Sequence, residues 1–114
     1  VESLNPNSRF HLALRVDYPN EFDRMVAVGD GRTRLGGDIM IHGGSASIGC
    51  LAMGDPAIER LFLLCAMAGP RTVSVLLLPC DLRAAEPELE ADTPAWVAEL
   101  HGSLRHELAR FPLP

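Results

Sequence analysis

The chain has 114 residues, 47% of them hydrophobic and 22% charged, with a formal charge of −5 at pH 7. That length supports one core rather than two, and the balance is that of a folded chain, which excludes disorder. Its few basic residues are scattered, so no phosphate-binding footprint forms and nucleic acid is excluded as a partner; no apolar run is long enough to span a bilayer.

Residues 1–8 read as an irregular lead-in. The segment carries neither the basic nor the apolar region of an export signal, so any such signal is expected outside this stretch. From Arg9 to Asp17 the pattern alternates, with Phe10, Leu12, Leu14 and Val16 on one side and His11, Ala13, Arg15 and Asp17 on the other. Period two predicts a half-buried strand. Tyr18-Pro19-Asn20 breaks it with turn chemistry, and Met25 to Val28 suggests a second short strand.

Gly29 to Gly54 holds eight of the ten glycines, a density that predicts tight turns rather than helix. Within it Ile39 to Ile41 reads as a buried strand ending at His42. Asp55-Pro56 predicts a helix start, with Asp55 as the N-cap and proline at the first helical position. Ile58, Leu61, Phe62 and Cys65 follow at helical spacing until Gly69-Pro70. Arg71 to Leu78 reads as another buried strand. Residues 84–92 read as an exposed acidic connection, and Thr93-Pro94 is expected to cap a last helix with Trp96, Leu100, Leu104, Leu108 and Phe111 along one stripe. Strand and helix do not alternate regularly, so a doubly wound sheet is disfavoured and a strand-rich α+β domain is expected.

The three cysteines, Cys50, Cys65 and Cys80, are odd in number and lack paired close spacing, so they form neither a disulfide framework nor a zinc site. Cys65 falls on the apolar helix face and reads as core, and Cys80 has no neighbouring base. Cys50 differs, because His42 precedes it by seven intervening residues rich in glycine and serine. An imidazole beside a thiol can take its proton and hold the pair as thiolate and imidazolium. Small residues at Ser47-Ile48-Gly49-Cys50 offer backbone N–H groups to a developing oxyanion. The plainer alternative is that His42 ends a strand and Cys50 is a small buried hydrophobe. His11, His101 and His106 read as surface or cleft-wall residues.

Ile41-His42-Gly43 followed by Ser47-Ile48-Gly49-Cys50 resembles the signature of the L,D-transpeptidase (YkuD-type) catalytic domain, and most closely its short-loop, YafK-like branch. Phe10-His11-Leu12-Ala13-Leu14, Tyr18-Pro19-Asn20, Phe22-Asp23-Arg24 and Gly31-Arg32-Thr33 precede it in the order of that branch, and Leu51-Ala52-Met53-Gly54-Asp55 follows. The resemblance covers residues 9–83. It implies a mixed-sheet α+β catalytic domain over that range, with the connection and terminal helix of 84–114 packed on it. It further implies that Cys50 is the acylated nucleophile, His42 its base and the Gly43 carbonyl the group that orients the imidazole. Ser47, Gly49 and Cys50 would surround the oxyanion. The implied substrate is a peptidoglycan stem peptide, free or lipoprotein-linked, attacked at a diaminopimelate centre through a thioester that an amine or water resolves. Metal and organic cofactors are not required, and the implied location is the periplasm or cell envelope.

One departure matters. Longer-loop members follow the cysteine with an arginine that grips a substrate carboxylate, whereas Leu51-Ala52 follows Cys50. Arg32 and Arg34 are the nearest candidates for that task. The departure also motivates a second reading, a non-catalytic envelope-binding module that retains the fold, and a third reading is a cytoplasmic redox-sensing thiol protein. The binding module is opposed by retention of both His42 and Cys50, the redox sensor by the lack of a resolving cysteine near Cys50.

Overall fold

The computed structural model describes residues 1–112. Its elements are strand β1 (Ser3–Ser8), strand β2 (His11–Arg15), helix α1 (Glu21–Gly29), strand β3 (Met40–His42), strand β4 (Leu51–Ala52), helix α2 (Asp55–Ala68) and helix α3 (Ala95–Leu108), with a single 3-10 turn at Pro70–Thr72. The fold is α+β. Four strands form one mixed sheet in the order β1-β2-β3-β4, antiparallel except for the parallel β3–β4 pair. The chain divides into two compact units, Val1–Val75 and the remainder from Leu76 onward.

In the first unit the register sorts side chains onto two faces. Leu4 pairs with Leu14, Leu14 with Ile41 and Ile41 with Leu51, so these four share a face. Helix α2 packs on that face, adding Ile58 and Cys65 to the core, with Leu61 and Phe62 against it. Leu14 and Ile58 are fully buried, each contributing about 1.5–3 kcal/mol of hydrophobic stabilisation. The opposite face carries the neighbouring rows, Asn5-Ala13-His42-Ala52 and Ser3-Arg15-Met40.

Four sequence expectations are corrected. The lead-in is not irregular: Ser3–Ser8 is β1, an edge strand whose only apolar residue is Leu4 and whose register slips between Asn5 and Ser8. Polar residues and Pro6 suit an edge, which is why the pattern hid it. Met25 to Val28 belongs to α1, not to a strand. Asn20 caps that helix through a capping box, its side chain accepting from the Asp23 amide at 3.1 Å while Asp23 accepts from the Asn20 amide at 2.8 Å. Arg71 to Leu78 forms no strand; after the 3-10 turn it runs without a sheet partner, and Val73 instead takes the Val1 amino group on its carbonyl at 2.7 Å. Finally, Phe10 does not join Leu12, Leu14 and Val16. His11 has φ +72°, and this left-handed residue interrupts the alternation, leaving Phe10 stacked on His42.

In the second unit, residues 84–92 contain no helix or strand. Helix α3 starts after Pro94 without a side-chain cap, and its stripe of Trp96, Leu100, Leu104 and Leu108 is half-buried while Phe111 is exposed. Arg83 ties the turn to the helix end: it makes a two-pronged contact with Asp81 at 2.8 and 2.9 Å and donates to the Phe111 and Pro112 carbonyls. With Arg83 as hydrogen-bond donor, the Asp81 carboxyl is lowered from 3.8 to about 2.

Candidate active site

Strand β3 is short because it runs into Gly43-Gly44, and its last residue, His42, is 2% exposed. Such a buried imidazole needs partners for its ring nitrogens. Nδ1 lies 2.6 Å from the Gly43 carbonyl. A carbonyl oxygen only accepts, so Nδ1 carries the hydrogen and Nε2 is left as the basic nitrogen. The Phe10 ring covers the imidazole, with centroids 4.5 Å apart and planes 29° apart.

Backbone hydrogen bonds fix this strand end on both sides. The Gly43 amide donates to the Leu12 carbonyl at 3.1 Å, the Met53 amide to the His42 carbonyl at 2.9 Å and the Gly54 amide to the Gly44 carbonyl at 3.0 Å. Gly43 has no room for a side chain: a Cβ there would stand 2.6 Å from Asp55 Oδ1 and 2.6 Å from the Phe10 carbonyl oxygen. Asp55 is the first residue of α2 rather than its cap, which is Gly54, and the Asp55 carboxylate accepts from the Gly44 amide at 2.7 Å.

Cys50 immediately precedes β4. The parallel register sets Leu51 beside Ile41 and Ala52 beside His42 and ends there, so Cys50 stands in the bend that leads into β4, outside the ladder. The sulfur is half-exposed and donates to the Asp38 carbonyl at 3.6 Å. Among the described residues no hydrogen bond joins Cys50 to His42. Asp38 itself sits at φ +57°, with its carboxylate 3.1 Å from Arg15 Nη1.

Ser47 and Cys50 close a reciprocal pair: the Ser47 hydroxyl donates to the Cys50 carbonyl at 2.7 Å and accepts from the Cys50 amide at 2.8 Å. The Cys50 N–H is therefore engaged in this arrangement. Gly49, between them, has φ +111°, a conformation that side chains disfavour. Arg32 and Arg34 lie exposed in the loop between α1 and β3, where Arg32 pairs with Asp30 at 3.2 Å. The arginine linked to the cysteine is Arg15, through Asp38. Alternation on β2 opposes Arg15 to Leu14, and only its pairing with Met40 sets it at the start of β3, two residues after Asp38.

Phe10, Asp38 and Asp55 escaped sequence reasoning for related reasons. Each meets the site through a turn or a backbone group, and no residue spacing encodes those contacts. Among the described residues no group of three or more His, Cys, Asp or Glu is placed to hold a metal ion, and no helix is long and apolar enough to cross a membrane.

Comparison with known proteins gives two curated relatives. Proteins named "Putative L,D-transpeptidase YafK", from Escherichia coli strain K12 and from Escherichia coli O157:H7, are each 37% identical over 59 residues. The match takes in 52% of this chain but only 22% of each relative's length. Over that stretch the chain is L,D-transpeptidase-like. No family model matches, and no solved structure matches.

Proposed function

We propose that this chain carries a cysteine acyl-transfer site of the L,D-transpeptidase kind, acting on peptidoglycan stem peptides in the cell envelope. The observation that supports it most directly is the buried His42, whose Nδ1–H is held by the Gly43 carbonyl so that Nε2 is the basic nitrogen, on a strand paired with the one that begins directly after Cys50.

In this reading the Cys50 sulfur leaves the Asp38 carbonyl by rotation about χ1 and passes its proton to His42 Nε2. The thiolate attacks the carbonyl carbon of a peptide bond at a diaminopimelate centre, forming the S–C bond. The negative oxygen faces the Gly49 amide, and the Cys50 amide joins it once the Ser47 hydroxyl turns aside. Collapse expels the leaving amine, which takes the proton from His42, and a thioester remains. An incoming amine or water, deprotonated by His42, then releases the acyl group and restores the thiol. Gly43 acts through its carbonyl, in the place that a carboxylate holds in other triads. A substrate carboxylate would be met by Arg32, Arg34 or Arg15, with Arg32 giving up Asp30 and Arg15 giving up Asp38 to do so.

A second reading is favoured by one contact, the bond from Cys50 to Asp38 rather than to His42. It makes the chain a non-catalytic envelope-binding module with the same fold. Intact-mass spectrometry after incubation with a carbapenem separates the two. The catalytic reading expects one covalent adduct that is lost in Cys50→Ala and strongly slowed in His42→Ala. No adduct, or one that survives Cys50→Ala and disappears with Cys65→Ala or Cys80→Ala, refutes it. Purified muropeptides then distinguish transferase from hydrolase by cross-linked against shortened products.

A further inference from the structure

The Gly43 carbonyl and the Gly44 amide belong to one peptide group, and that group is hydrogen-bonded at both ends. Its oxygen accepts from His42 Nδ1 at 2.6 Å, and its N–H donates to Asp55 Oδ1 at 2.7 Å. We propose that Asp55 is a positioning residue for the His42–Cys50 pair, acting on the imidazole through the Gly43–Gly44 peptide. The proposal rests on the reading of Cys50 and His42 as the reacting pair.

Gly44 has φ +69°, and the peptide before it is free to turn unless both ends are held. The carboxylate fixes its plane and thereby aims the carbonyl at Nδ1. A carboxylate acceptor makes a stronger hydrogen bond than a neutral one. Drawing on the N–H, it also increases the electron density of the carbonyl oxygen at the other end of the same peptide, because hydrogen bonds in a chain polarise one another. The imidazole thus feels a carboxylate without touching one. Asp55 is held in turn by its place at the start of α2, directly after the Gly54 cap. Its carboxylate stands so close to the Gly43 α-carbon that a methyl there would meet it at 2.6 Å. No proton moves to Asp55 in this arrangement.

Because Asp55 is exposed, solvent weakens its influence, and the effect is that of one charge-assisted hydrogen bond felt at one remove. Two readouts on the 114-residue chain test it: the rate of Cys50 alkylation by iodoacetamide at fixed pH, mapped by peptide mass spectrometry, and the His42 Nδ1–H proton resonance. Asp55→Asn keeps size and an acceptor oxygen but removes the charge. It should slow alkylation about three- to tenfold and move the Nδ1–H resonance upfield. Asp55→Glu, which keeps the charge, should recover part of both.

An Asp55→Asn protein that matches the wild type in both readouts overturns the proposal. So does an equal loss of rate in Asn and Glu variants with an unmoved Nδ1–H resonance, which would make the role purely structural. If wild-type Cys50 alkylates no faster than Cys80, the reading of the reacting pair fails instead, and the resonance in Asp55→Asn still decides the link from Asp55 to His42.

Discussion

Phe10 lies face to face with His42, and this contact joins the β1–β2 turn to the end of β3. The ring keeps water from one side of the imidazole and offers its π face to an imidazolium, a contact worth about 0.5–1 kcal/mol where partly exposed. Phe10→Ala should therefore slow Cys50 alkylation several-fold and reduce stability by about 1 kcal/mol. Phe10→Leu should restore most of the stability but less of the rate. Urea denaturation alongside thiol alkylation of the three proteins checks the separation.

Gly43 is the position where the fold leaves least space. Gly43→Ala places a methyl against two oxygens, neither of which is the end of a long flexible side chain. A cost of about 1–3 kcal/mol follows from overpacking, together with loss of the Nδ1 contact as the peptide turns. Urea midpoints and the His42 Nδ1–H resonance should both change. Gly29→Ala, where nothing lies within 4 Å, is the control and should leave the resonance in place.

The second unit has a pH-sensitive fastening. The Asp81 carboxyl is lowered from 3.8 to about 2 with Arg83 as donor, so the folded state favours the ionised form. Its stabilising contribution is present above the unfolded value and is lost as pH falls from about 3.8 towards 2. The pair lies part-buried at the surface of the unit, where solvent still reaches the Asp81 carboxylate and keeps the effect small. Asp81→Asn should lower the melting temperature slightly at pH 7, and the gap from wild type should close near pH 2. Thermal melts at those two pH values measure it.

The parts of the molecule written as local pattern were legible in the sequence. Helix α2 follows from Pro56 and the spacing of Ile58, Leu61, Phe62 and Cys65, and β2 from the alternation through Leu12 and Leu14. The β3 segment at His42 was visible as an apolar run meeting glycines. What failed did so where another force outranked pattern. The capping box at Asn20 and Asp23 turned Met25 to Val28 into helix. At β1, membership of the sheet edge came from pairing with β2, which a polar hexapeptide does not advertise. At the site, His42, Ser47 and Cys50 could be singled out from residue type and order, and Gly43 from the resemblance. The thiol's contact with Asp38, the ion pair from Asp38 to Arg15 and the peptide linking Asp55 to His42 all depend on register and on the path of a turn. A linear string of residue types does not contain those.

The span from Gly43 to Cys50 is anchored at its two ends by paired strands, while its apex, Ser45 to Ile48, is exposed, Ile48 completely so. That makes the apex a replaceable cartridge. Residues could be grafted between Ala46 and Ser47 without disturbing the apolar interior beneath α2, and the choice of graft would retune which molecules approach the sulfur.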